Sequence, residues 1–408
     1  MSFRYFAGTA ATALLVSSSA WGDDAFTFEV GGRLQADYSR FDGIYTNNGN
    51  SSEAAYLRRS YVELSGRAFS DWKYTVDYDF SHNSGRANDG GYFEEASVTY
   101  TGFDTVELQI GRFDPEFGLE KATASKWVTA PERNAAFESI EWANRHQSGY
   151  GVAAQAKPSD AVYASVGLFS KDADEVDSNH QKQVNLRAVY APLHESGDVL
   201  HVGTNFARRD VSDSAIDTRL RSRLGMRGVK TNGGRDAGGN GSRVVFGGDE
   251  DHPAGSFDHD TAWGFEAAWA RGPLSLQGEY MRARLKADTN AYQDITSSGF
   301  YAQAAYTITG ESRQYKTGQF DAIEPNKKQY GAWEVFYRYD SLKVDDNNGA
   351  FADVGDTKGK VHNLGVNWYA NENVKVTAAY VRARVKNITN DAGDDTGDGF
   401  VMRGQYQF

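Results

Sequence analysis

The sequence predicts an all-β fold: a sixteen-stranded antiparallel transmembrane β-barrel with short turns at one end, long loops at the other and the third long loop folded into the lumen. Three observations carry this. First, 13% of the 408 residues are aromatic and 43 are glycine, yet only 40% are hydrophobic. A soluble core of this length would hold more Leu, Ile and Val, and a disordered chain fewer aromatics. Second, apolar and polar residues alternate with period two along most of the chain, as in strands with one lipid-facing and one water-facing side. Third, past the first twenty positions no apolar run approaches the ~18 residues that a membrane-spanning helix needs.

In chain order, Met1–Ala20 reads as an export signal. Arg4 precedes the apolar stretch Ala7–Val16, and Ser18-Ser19-Ala20 supplies small residues for cleavage after position 20 or 22. Residues 23–408 then form one barrel domain. The expected strands are 26–38, 56–68, 72–81, 93–100, 104–112, 148–156, 161–169, 184–191, 199–209, 261–271, 273–285, 298–309, 330–340, 360–369, 374–385 and 399–408. Sixteen is an even number, as single-chain bacterial barrels require.

The alternation is explicit in several of these. Phe400, Met402, Tyr406 and Phe408 share one face of the last segment, and Val401, Arg403, Gln405 and Gln407 the other. His362, Leu364, Val366 and Trp368 alternate with Asn363, Gly365 and Asn367; Trp263, Phe265, Ala267 and Trp269 alternate with Gly264, Glu266 and Ala268. Short connections such as Ser70-Asp71, Gly272 and Asn371–Asn373 alternate with long polar ones at 39–55, 113–147, 210–260, 341–359 and 386–398. The segment 310–329 is long where a short turn is due.

Composition also excludes functions. No cysteine means no disulfide framework, thiolate metal site or Cys nucleophile. A formal charge of −12 provides no basic excess for nucleic acid. The eight histidines are scattered and suggest neither a metal site nor a hydrolytic triad, so no cofactor, metal or enzyme activity is expected. A barrel of sixteen strands encloses water, so the expected function is that of a pore.

Three basic constellations indicate what passes. Arg219, Arg221, Arg223 and Arg227 lie in DTRLRSRLGMRG, with Arg243 further along the same loop. In an extended chain the first three share a face at spacings of about 6.6 Å; in a helix Arg219, Arg223 and Arg227 would do so instead. The second constellation is Arg58-Arg59 with Tyr61 in the second strand and Lys73 starting the third. Adjacent residues face opposite ways, so Arg59 and Tyr61 are expected inside, and Arg58 joins them only at a bulge or above the membrane. The third is segment 113–147, where Lys121, Ser125, Lys126, Arg133 and Arg145 are mixed with glutamates and aromatics. Such a loop can bury apolar surface by entering the lumen. Arginine matters because its planar fork binds oxyanions bidentately.

At these residues the sequence resembles the phosphate- and polyphosphate-selective porins, the O and P family. The resemblance covers essentially the whole chain after the export signal and rests on YLRRSYVEL, YFEEASVTYTGF, GRFDPEFGLEKATASKWVTAPERN, DTRLRSRLGMRGVKTNGG and GDGFVMRGQYQF, among other segments. It implies a homotrimer in the bacterial outer membrane, contacting lipid, whose partners in transit are phosphate, pyrophosphate or polyphosphate anions. It implies that Arg219, Arg221, Arg223, Arg227 and Arg243 form an anion-guiding ladder. It further implies that Arg58, Arg59, Tyr61, Lys73, Glu94, Asp114, Lys121, Ser125 and Arg133 form the constriction. Glu94 stands where the family often has Asp, and Ala124 replaces a serine that members can have. Tyr61 resembles the orthophosphate-preferring type and Asp114 the polyphosphate-preferring type, so the preference between these anions stays open. A general or carboxylate-type porin with internally paired basic residues is the alternative, and loop-mediated adhesion is a further one.

Overall fold

The computed structural model describes residues 26–46, 48–81, 91–144, 150–170, 182–227, 244–249 and 252–408. The expected export signal, Arg145 and Arg243 lie outside them. The strands are β1 (Phe26–Gly43), β2 (Gly49–Ala68), β3 (Trp72–Asp79), β4 (Tyr92–Tyr100), β5 (Val106–Arg112), β6 (Tyr150–Ser159), β7 (Val162–Ser170), β8 (Lys182–Glu195) and β9 (Asp198–Asp210). There follow β10 (Leu220–Ser222), β11 (Val244–Gly247), β12 (Phe257–Arg271), β13 (Leu274–Ala287), β14 (Ile295–Thr307), β15 (Tyr315–Lys316) and β16 (Gln319–Phe320). The last four are β17 (Ala332–Asp345), β18 (Thr357–Tyr369), β19 (Val374–Lys386) and β20 (Thr396–Gln407). Each strand of the wall pairs antiparallel with its neighbours, and β20 returns to β1, closing a barrel of sixteen. The pairs β10–β11 and β15–β16 are small hairpins outside the wall.

The alternation read from the sequence is the alternation of the wall. Phe400, Met402 and Tyr406 are exposed to the lipid side, while Val401, Arg403 and Gln405 are buried inside. Trp263, Phe265 and Leu364 face out, and Glu266, Asn363 and Asn367 face in. Aromatic pairs collect at the short-turn end, as Trp72–Tyr100 at 5.0 Å, Trp333–Trp368 at 5.7 Å and Tyr406–Phe408 at 6.0 Å, where amphipathic rings sit best at a membrane interface. The seam closes on Gly32, which exchanges backbone hydrogen bonds of 3.1 Å with Phe408. A Cβ at Gly32 would lie 2.5 Å from the Phe408 ring, so only glycine admits that ring.

Two inward segments fill much of the barrel. The third long loop carries α1 (Leu119–Ala122), α2 (Ala135–Ser139) and α3 (Glu141–Asn144). Phe117, Ala136, Ile140 and Ala143 pack on wall residues Ala207, Ala262, Met281 and Ala283. That apolar surface is why this loop enters the lumen. In the outer half, Leu224, Met226 and Phe246 from the loop after β9 join Val344, Val361, Val381 and Val401 of the wall in one apolar cluster.

The segment 310–329 is the exception that the sequence pattern flagged, and it does not form a turn. Its hairpin β15–β16 rises from the short-turn end. Tyr315 and Phe320 bury against Leu119, Val199 and Ala268. Arg313 donates to Thr129 Oγ1 at 3.0 Å and to the Trp127 carbonyl, while Phe320 N donates to Thr123 Oγ1 at 3.3 Å. The third loop is thus braced from below by a segment of opposite origin.

Candidate functional site

The central site is built around two irregularities in the wall. Opposite β1, Gln35 pairs with Arg59 and Ala36 with Leu57, so Arg58 is an extra residue. This bulge turns both arginines inward, meeting the one condition under which Arg58 could join Arg59. A second irregularity lies between β3 and β4, where Asp77 pairs with Glu95 and Tyr78 with Phe93. Here Glu94 is the extra residue. Tyr61 Oη donates to Glu94 Oε1 at 3.1 Å, and Arg59 Nε donates to Tyr61 Oη at 3.2 Å. Arg59 also donates to Gln35 at 2.8 Å, and the Arg33 guanidinium stacks 4.6 Å over the Tyr61 ring.

Facing this wall, α1 presents Lys121. Glu279 accepts from the backbone N–H groups of Leu119 and Glu120 at 3.0 and 2.7 Å, fixing the start of that helix. Lys121 Nζ donates to Asp114. Burial lowers the Lys121 ammonium below the ordinary lysine range, and Asp114 opposes that shift. Arg133 donates to the carbonyls of Glu120 and Thr123 and stacks 5.2 Å over Phe137. Glu120 in turn holds Asn134 N at 2.9 Å and accepts from the buried Arg338 at 3.0 Å.

Arg58, Arg59, Ser125, Glu132, Arg133, Glu138, Arg223 and Arg227 line one cavity. Arg58 grips Glu132 through Nε at 2.8 Å and Nη2 at 3.0 Å, Arg227 Nε reaches Glu132 at 2.7 Å, and Arg403 Nη2, which does not line the cavity, reaches it at 2.7 Å. Burial alone would raise the Glu132 carboxyl, but Arg58, Arg227 and Arg403 outweigh it and hold the group well below the usual carboxylate range.

A second cavity lies further out, bordered by Trp142, Arg209, Asp217, Arg219, Arg221 and Asp260. Leu220–Ser222 is extended, so the ladder is not helical. The chain then turns at Leu224 (φ 51°) and Gly225 (φ 82°), and Arg223 and Arg227 both line the inner cavity. Arg219 donates to Asp217 at 2.9 Å, Arg221 lies 3.7 Å from Asp217, and Arg223 meets Glu138 at 2.7 Å. Four arginines therefore lead from one chamber to the next.

Among the described residues, the expected set is thus brought together with one exception. Lys73 pairs in register with Arg67, and Tyr61 with Asp79. Six residues of strand separate them, roughly 20 Å. Lys73 sits near the short-turn end and contacts Glu107 at 3.0 Å; as the start of a strand that follows a short turn, it lies at the end of the wall away from the β2 bulge. Arg33, Arg403, Glu132 and Glu138 were not singled out. Arg403 was legible as inward from its period, but its role needs the β20–β1 closure, which the sequence does not display.

The family described as phosphate-selective porin O and P matches residues 28–408. The chain belongs to that family. Porin O of Pseudomonas aeruginosa is 57% identical over all of this chain and 96% of its own length. An uncharacterized protein of Caulobacter vibrioides is 27% identical over 78% of this chain and 62% of its own. Among solved structures, OmpT of Vibrio cholerae aligns with a TM-score of 0.59 and 13% identity, covering 97% of this chain and all of that one; a trimer form of it gives 0.56. An anion-selective porin from Comamonas acidovorans aligns at 0.59 with 11% identity over 94% of this chain and all of that one. These structures share the barrel. Membership in the porin O and P family makes this chain an outer-membrane, phosphate-selective anion porin.

Proposed function

We propose that phosphate and its short polymers pass down a two-stage path, captured at Arg219 and Arg221, handed to Arg223 and Arg227, and selected among Arg58, Arg59, Tyr61, Glu94, Lys121, Ser125 and Arg133. The observation that carries this is the single cavity in which arginines from β2, the third loop and the loop after β9 converge. Several forks around one space match the several oxygens of a phosphate group. Glu94, held beside Arg59 by Tyr61, can accept a hydrogen bond from a protonated phosphate, which a fully ionised sulfate lacks. Asp114 sits against Lys121 and tempers its attraction, so that the anion can leave as well as enter.

Residues 1–20 serve as the export signal in this reading, and the chain works as a homotrimer. It acts as a channel, not an enzyme. His201 is buried with its ring nitrogens on Tyr315 and Glu266, and His362 faces lipid, so neither serves a triad. The second reading is a general or carboxylate-type porin whose basic residues are internally paired, favoured by the many ion pairs along the path. Planar-bilayer recordings decide between them. Chloride current should be blocked by inorganic phosphate and by pyrophosphate titrated separately, and the reversal potential in a KCl gradient should be that of an anion channel. An unselective pore without block supports the second reading.

A further inference from the structure

Glu132 has an arrangement that phosphate selection alone does not require. Its carboxylate lies at the meeting point of three guanidinium groups from three elements: Arg58 of the β2 bulge, Arg227 at the inner end of the ladder and Arg403 of β20. Arg58 takes it by the fork, at 2.8 and 3.0 Å. Its side chain is 11% exposed, and it borders the inner cavity. We propose that Glu132 is a resident stand-in for the transported anion, occupying the place that a phosphate group takes in transit and yielding that place when one arrives. This rests on the phosphate reading above and adds to it a built-in competitor.

The exchange needs only a side-chain rotation. The backbone around Glu132 is held by contacts that do not involve its carboxylate: Arg338 donates to the Glu132 carbonyl at 2.9 Å, Arg403 to the Pro131 carbonyl, and Asn134 N to Glu120 at 2.9 Å. The side chain can therefore swing while the loop stays. A tetrahedral oxyanion can replace it fully, meeting the Arg58 fork with two oxygens and Arg227 and Arg403 with the others. Chloride presents one centre and cannot satisfy the fork, so it does not dislodge the carboxylate. Glu132 thus screens the arginines from the abundant anion while leaving them open to the oxyanion. It also shortens the stay of a bound phosphate, because the departing ion is replaced at once and no bare guanidinium cluster is left behind.

The test is Glu132→Gln in planar bilayers, with chloride current titrated by inorganic phosphate. The half-blocking phosphate concentration should fall at least about tenfold, or ~1.4 kcal/mol, each blocking event should lengthen, and chloride conductance should rise. Glu132→Asp keeps the charge but cannot span fork and ladder together. It should shift the half-blocking concentration in the same direction by less, and it decides the matter alone if the glutamine variant does not assemble. A half-blocking concentration unchanged or raised in the assembled variants overturns the proposal and makes Glu132 a brace. If the unmodified channel shows no phosphate block, the phosphate reading itself fails, which is a separate outcome.

Discussion

The outer end of the ladder and the inner cavity use the same residue type in two different ways. Arg219 and Arg221 share Asp217, two to four residues away in sequence, and that carboxylate is 40% exposed. Arg58, Arg227 and Arg403 share Glu132, whose partners are 74, 95 and 271 residues distant, and every member is nearly buried. Wet, local pairs of the first kind are each worth about 0–1 kcal/mol and are screened by salt. In the second kind the charges are dehydrated and held by long-range packing, so adding or removing one is expensive. In the proposed path, capture belongs to the first region and selection to the second.

The largest expected effect tests the selective side. Lys121→Glu replaces a half-buried cation by an anion beside Asp114. A unit charge at 4 Å contributes about 4 kcal/mol at an effective dielectric of 20. Phosphate block should disappear and the chloride-over-potassium preference should collapse, both read in one KCl-gradient experiment. A variant that keeps block and preference removes the third loop from the filter.

Alkaline titration sharpens the same point with less damage. Burial lowers the Lys121 ammonium, so its charge is lost at a lower pH than that of a free lysine. Anion preference should decline as pH rises through that range, while the arginines remain charged. Lys121→Arg should remove the decline. A pH-independent preference in the unmodified channel would show that Lys121 does not contribute.

What the sequence made legible follows the same division. Period two placed Arg403 and Asn367 inside and Phe400 and Leu364 outside, because side-chain direction in a strand is a local property. The row Arg219, Arg221, Arg223 was readable as one motif because its members are neighbours in the chain. Arg58 was only conditionally readable, since a bulge is defined by the partner strand and not by the residue that bulges. Glu132 and Glu138 were hidden among the mixed charges of the third loop, as their arginine partners come from strands and loops far away. The segment 310–329 betrayed itself by length alone; its anchoring by Arg313 depends on where residues 127–129 lie.

A smaller effect belongs to the ladder. Replacing Arg219, Arg221 and Arg223 together by Ala should lower phosphate-dependent conductance at low phosphate and low ionic strength. The loss should shrink toward physiological salt, where the screening length is about 8 Å. Chloride-over-potassium preference should change far less than in Lys121→Glu. A loss insensitive to salt would place the ladder with the selective region and dissolve the comparison.

The smallest effect is the most discriminating for the outer region. Asp217→Asn removes the carboxylate that Arg219 and Arg221 share. The Asp217 carboxyl lies below its ordinary range because these arginines outweigh the cost of its partial burial, so it is charged at neutral pH. Removing it adds one net positive charge at the entrance. Because the pair is wet, the gain in local anion attraction should be under about 1 kcal/mol, less than roughly fivefold in phosphate-dependent conductance at low salt. Arg219 N also donates to Asp217 at 3.0 Å. The asparagine amide oxygen can accept that bond, so the extended course of β10 should survive. Phosphate-dependent conductance should therefore rise slightly at low ionic strength and match the unmodified channel at high salt. The concentration of phosphate that half-blocks chloride current should not move, because that quantity reports the inner cavity. A shift in it as large as that expected for Glu132→Gln would mean that outer and inner arginines act as one site, with no division between capture and selection.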